Sequence, residues 1–259
     1  MTPTIDLNQI IDFCLTAQFL VYGYMAFVLY PYDDYTVAQR MQHTVSRQYA
    51  RTRRILGAVY ILLGIAAICG LHPALSVTGG GWQPPLVPTC LTLFFVAHAR
   101  MLLSLCNWQP ISPKAHLIRL LPLPVLCILY AAFPAGGEVF AILQSVHLVL
   151  LIGYYTPLFY KAFEQLNRCC WEAVNETPEE TAADYDCLPE SMPWIGHRYK
   201  GLLVITLLGL LAYFLPLGWT SYVVAVIYVV YLFWFFYWVF QRFPRYSRTL
   251  FFYLNEEDR

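Results

Sequence analysis

Long apolar runs alternate with short polar or turn-forming joints, and seven runs stand out: about Gln9 to Tyr30, Ile55 to His72, Leu86 to Cys106, Leu117 to Phe133, Val139 to Tyr160, Leu202 to Leu217 and Tyr222 to Phe240. Most approach the ~20 residues that cross a hydrocarbon layer at about 1.5 Å per residue. The joints carry natural breaks: Pro31-Tyr32-Asp33-Asp34, Thr78-Gly79-Gly80-Gly81, Trp108 to Pro113, Pro134-Ala135-Gly136-Gly137, the long stretch 164–200, and Pro216-Leu217-Gly218-Trp219-Thr220. The runs lack strand-like alternation. Inside a bilayer each backbone polar group must be bonded within its own segment, so the pattern predicts helices and an all-α, polytopic membrane protein with seven transmembrane helices.

Composition points the same way. The chain is 59% hydrophobic and 12% charged, about half the charged fraction of a typical soluble domain. Lys+Arg and Asp+Glu are both 16, so net charge argues for no acidic or nucleic-acid partner.

Charge placement is more informative. Arg40, Arg47, Arg51, Arg53 and Arg54 follow the first run, and Arg100, Lys114 and Arg119 flank the third joint. Lys161, Arg168, Arg198 and Lys200 flank the fifth joint, and Arg242, Arg245, Arg248 and Arg259 follow the last run. These are all 16 basic residues, and the amino terminus and the second, fourth and sixth joints have none. Basic residues mark cytoplasmic loops, which predicts an amino terminus outside and a carboxyl terminus in the cytosol. Residues 1–242 then form a seven-helix transmembrane domain with a cytosolic acidic loop at 164–200, and residues 243–259 form a short cytosolic tail. The first run has no basic leader and is expected to be retained rather than cleaved.

Several polar groups inside the runs are candidate ligand-binding residues: His98 and Arg100 in the third, and Gln144 and His147 in the fifth. Arg100 can also reach the interface by extending its stem, and His147 can be held by a neighbouring helix. A paired-histidine haem site on His98 and His147 is weakened by their different depths, and no cofactor is expected. Pro122 and Pro124 in the fourth run, and Pro157 in the fifth, should loosen their helices. Cys169, Cys170, Cys187 and His197 make only a weak zinc set, lacking any C-x-x-C pair, so no metal is expected. No catalytic motif is present, and catalytic residues are not assigned. Seven carboxylates and no base lie from Glu172 to Glu190, either a solvated loop or a helical hairpin on the inner face. The last run is aromatic on nearly every side, with Tyr228, Tyr231, Phe235 and Trp238 at helical spacing, which suits an interfacial belt or packing against a second copy.

Three segments carry a family resemblance: Ala183-Asp184-Tyr185-Asp186; Met192-Pro193-Trp194-Ile195 followed by Arg198 and Lys200; and Phe243-Pro244-Arg245-Tyr246 leading to Tyr253-Leu254-Asn255-Glu256-Glu257. With the seven-run layout, they resemble the amino-terminal membrane region of membrane-bound AraC-like transcriptional regulators of Bacteroidetes. In that group the tail leads into a helix-turn-helix DNA-binding domain, whereas this sequence stops at Arg259. It reads either as a shortened form of a longer regulator or as a membrane protein with a separate cytosolic partner, with no direct nucleic-acid binding by this chain. The resemblance implies a sensor or signal-input module in the bacterial inner membrane. Its partners would be the lipid bilayer, a cytosolic regulator and a second copy in a homodimer, and Arg242, Arg245 and Arg248 would carry the signal. The competing reading is a small-solute transporter or channel subunit, which requires a water-filled path.

Overall fold

The computed structural model describes residues 7–28, 54–65, 86–106, 113–133, 136–176, 187–214, 223–224 and 226–235. Regular structure among these residues is helical, with no strand. The helices are α1 (Leu7–Val28), α2 (Arg54–Ile65), α3 (Leu86–Leu105), α4 (Pro113–Leu120), α5 (Pro122–Ala132), α6 (Gly137–Glu176), α7 (Cys187–Phe214) and α8 (Val226–Phe235). Each apolar run of the sequence therefore carries helix in its described part. Two helices are long and apolar enough to cross a membrane, through Val87–Ser104 and Gly137–Arg168.

Those two helices play different parts. Of the apolar window in α3, 78% is buried, against 33% in α6, so α3 is the central post and α6 lies at the periphery. Being apolar on all sides suits α3 to that position. It packs against α6 and α7, which also touch each other, while α5 lies against α6. The core around α3 takes Phe19 from α1, Tyr60 from α2, Tyr155 and Phe159 from α6, Tyr199 and Leu202 from α7, and Tyr228, Leu232 and Phe235 from α8.

Close helix approach depends on glycine at two positions. A Cβ on Gly23 of α1 would stand 3.2 Å from the Gly57 carbonyl of α2, and one on Gly209 of α7 would stand 2.7 Å from Leu91 Cδ2 of α3. Small residues permit such contacts where dispersion, rather than the hydrophobic effect, holds helices together.

Local sequence explains two departures from the simple seven-run pattern. The fourth run is split at Leu121 into α4 and α5. Pro122 and Pro124 lack the N–H groups that would return to the carbonyls of Ile118 and Leu120. The fifth run does not end near Tyr160, since α6 continues through Pro157 to Glu176, and α7 already begins at Cys187. Both ends of the stretch 164–200 are thus helical, in keeping with the hairpin alternative for the acidic segment; residues 177–186 lie outside the described residues. Lys161, Glu164, Gln165 and Arg168 favour helix, and Glu164 pairs with Arg168 at 3.8 Å one turn on.

The outer surface is unusually apolar. Exposed side chains on α6 include Val139, Ile142, Leu143, Val146, Val149 and Leu150; on α7, Val204, Leu207, Leu211 and Phe214; on α8, Val226, Ile227, Val230, Phe233 and Trp234. Charged residues take over abruptly, with Lys161, Glu164 and Arg168 exposed on α6 and His197 and Lys200 exposed on α7.

Candidate functional site

His98 is fully buried on α3, one turn beyond Phe94. Its Nδ1 lies 2.9 Å from the Phe94 carbonyl, and its Nε2 is bonded to the Tyr60 hydroxyl of α2. A carbonyl oxygen can only accept, so Nδ1 carries the proton and Nε2 receives the Tyr60 hydrogen. The neutral imidazole is fully satisfied at the cost of no charge, the form that burial favours. Both nitrogens are engaged by the protein itself, which leaves no lone pair for an iron ligand.

Aromatic rings close around this pair. Phe94 lies 4.3 Å and Phe235 5.3 Å from the imidazole, centroid to centroid, while Phe19 stands 6.1 Å from Tyr60. The cluster thereby joins α1, α2, α3 and α8. Arg198 of α7 extends it, since its guanidinium is buried and donates from Nη1 to the Phe235 carbonyl at 3.1 Å. Ring and carbonyl of one residue are held from two helices, which ties Phe235 of α8 to both α3 and α7.

A second polar site lies where α4 gives way to α5. Gln144 of α6 is 1% exposed and donates from Nε2 to the Leu123 carbonyl at 3.3 Å. His147, on the same face, donates from Nε2 to the Arg119 carbonyl at 2.9 Å. Gln144 Oε1 and His147 Nδ1 are buried and have no hydrogen-bond partner. The Arg119 guanidinium turns toward Tyr154, 4.0 Å above its ring centroid, a cation–π contact about two turns past His147. Side chains of α6 thus bond the carbonyls that flank the proline break, a recurrent means of stabilising interrupted helices in membranes.

The four candidate ligand-binding residues consequently divide. Gln144 and His147 come together at the break, and His98 belongs to the other cluster. Arg100, partly exposed, lies within electrostatic reach of Tyr155, as does Arg119. Arg242, Arg245 and Arg248 lie outside the described residues, as do the side chains of Cys169, Cys170 and Cys187. Tyr60 is a partner that the sequence reading did not single out, while Arg198 stood there only as a flanking basic residue and Phe235 only as part of the aromatic last run. Arg198 was legible in one respect: Ile195, Arg198, Tyr199 and Leu202 follow helical spacing and share the buried face of α7.

Comparison with protein-family models, with curated proteins and with solved structures gives no match.

Proposed function

We propose that this chain is a seven-helix sensor or signal-input module embedded in the bacterial inner membrane, with its amino terminus outside and its carboxyl terminus in the cytosol. It passes a ligand- or partner-induced change to a cytosolic regulator through α8 and the tail bearing Arg242, Arg245 and Arg248.

The observation that carries the membrane reading is the matched edge of the apolar surface on α6 and α7. Tyr199 of α7 stacks on Phe159 of α6 at 4.1 Å and donates to Thr156 Oγ1 at 3.1 Å. Lys161 of α6 and Lys200 of α7, both exposed, lie within two residues of this contact, one on each helix. On the other side of that edge, the α6 stretch from Val139 to Tyr160 spans ~33 Å at about 1.5 Å per residue, close to a hydrocarbon thickness. Water-soluble monomers rarely expose apolar patches beyond about 300–600 Å². Arg54, Arg100 and Arg198 lie toward the same end, beside the Tyr60, His98 and Phe235 cluster, in keeping with a cytosolic basic face.

Support for a signalling output comes from the anchoring of Phe235. A change that moved α3 or α7 would act on its ring through His98 or on its carbonyl through Arg198, and so on the segment that follows. Such a change requires a ligand that binds two arrangements with different affinity. The test is purification of the full chain in mild detergent beside a form ending at Phe240. A transcription regulator retained only by the full chain is expected; recovery of none, or equal recovery with both forms, would overturn the signalling role.

A further inference from the structure

We infer that the break between α4 and α5 is a binding site for a neutral hydrogen-bond donor, the hydroxyl of an aliphatic alcohol or phenol, which reaches it through the hydrocarbon. The inference rests on the membrane-embedded reading above.

The two buried side-chain atoms left unpartnered at the break are both acceptors. Gln144 Oε1 is a buried acceptor with no partner, on a side chain 1% exposed whose amide nitrogen already donates to the Leu123 carbonyl and to Cys127 Sγ. That assignment cannot be reversed, because the carbonyl requires a donor opposite it. His147 Nδ1 is also buried and unpartnered, and it is an acceptor because Nε2 carries the proton given to the Arg119 carbonyl. Pro122 and Pro124 add the carbonyls of Ile118 and Leu120, to which no proline N–H can return. A ligand that satisfies such a site must donate, and each buried acceptor left bare is costly in a medium without water.

Charge selects among donors. The Arg119 guanidinium, held over Tyr154 beside His147, disfavours an ammonium group or a metal cation, leaving a neutral hydroxyl. The surroundings favour an apolar body for the ligand. Ile118, Leu121 and Val125 on α4 and α5, with Val146 and Leu150 on α6, are exposed large hydrophobic residues around the break. An alcohol in the bilayer would lay its chain along them and its hydroxyl on the acceptors. Discontinuous helices carry the polar sites of many membrane proteins for this reason: their backbone carbonyls are free of the helical ladder.

The probes are a photoreactive diazirine derivative of a medium-chain alcohol and its methyl ether, used with the full chain in phosphatidylcholine nanodiscs and mapped by peptide mass spectrometry. Adducts of either probe on the outer face of α6, around Ile142 and Val149, report membrane embedding alone. The alcohol is expected to label residues 118–125 and 144–147 about tenfold more than the ether, as one or two buried acceptors gaining a partner would give. Gln144→Leu is expected to abolish that difference while the outer-face adducts persist. Equal labelling of the break by both probes, or its absence with the α6 outer face labelled, overturns the site but not the membrane reading. Absence of outer-face adducts with either probe overturns both.

Discussion

The Tyr60 hydroxyl donates to Nε2 of His98 in the middle of the bundle, and this one bond joins α2 to the central helix α3 where neither side chain meets solvent. Tyr60→Phe keeps the ring and removes the donor, leaving a bare imidazole nitrogen. Interhelical bonds of this kind in membranes contribute about 0.6–1.7 kcal/mol, so a loss near 1 kcal/mol is expected in a reversible unfolding measurement in bicelles. The double variant Tyr60→Phe, His98→Leu is expected to lose less than the sum of the two single changes, since no orphaned acceptor remains.

Arg198 should govern how firmly the Phe235 region of α8 is held. Arg198→Leu removes the donor to the Phe235 carbonyl, and hydrogen exchange in the segment 228–235 is expected to quicken about tenfold, from the loss of one charge-assisted bond of roughly 1.5 kcal/mol. Exchange in α5 is expected to stay unchanged, which separates a local release of α8 from general loosening.

Two glycines give opposite outcomes for the same substitution. At Gly209 an added Cβ meets Leu91 Cδ2 at 2.7 Å and Tyr228 Cε2 at 3.3 Å, so Gly209→Ala forces α7 away from α3 and is expected to cost about 1–3 kcal/mol. At Gly153, on the exposed side of α6, nothing lies within 4 Å, and Gly153→Ala is expected to stabilise by about 0.5–1 kcal/mol. Thermal unfolding midpoints in one detergent compare the two directly.

The Glu164 and Arg168 pair is exposed on both sides, at 75% and 67% of side-chain surface, so Arg168→Ala is expected to change stability by less than about 0.5 kcal/mol. A larger drop in the same midpoint measurement would mean that this stretch of α6 is covered by another part of the protein.

Much of the helical layout was legible because long apolar runs are a strong signal, and Pro122 and Pro124 mark the break in the fourth run in the sequence itself. The reach of α6 past Lys161 was not, because Lys, Glu and Gln are at once loop-like in polarity and good helix formers. Gln144 and His147 could be singled out as polar groups in an apolar run, yet their partners are backbone carbonyls on another helix, which no side-chain pattern reveals. His98 was visible and Tyr60 was not, since a tyrosine in an apolar run reads as packing until a distant partner is placed beside its hydroxyl. Arg198 was counted with the cytosolic charges. Its place on the stripe of Ile195, Tyr199 and Leu202 was the available sign that it turns inward.

Membrane embedding is tested most directly by spin labels placed along the outer face of α6, at Ile142, Val146, Val149, Leu150, Glu164 and Arg168, in a variant whose native cysteines are replaced, reconstituted in lipid. The account predicts that dissolved oxygen relaxes labels at the first four positions while a water-soluble nickel chelate does not, and that the preference reverses at Glu164 and Arg168. Strong relaxation by the nickel chelate at Val149 and Leu150 would contradict it, because that face of α6 would then lie in water.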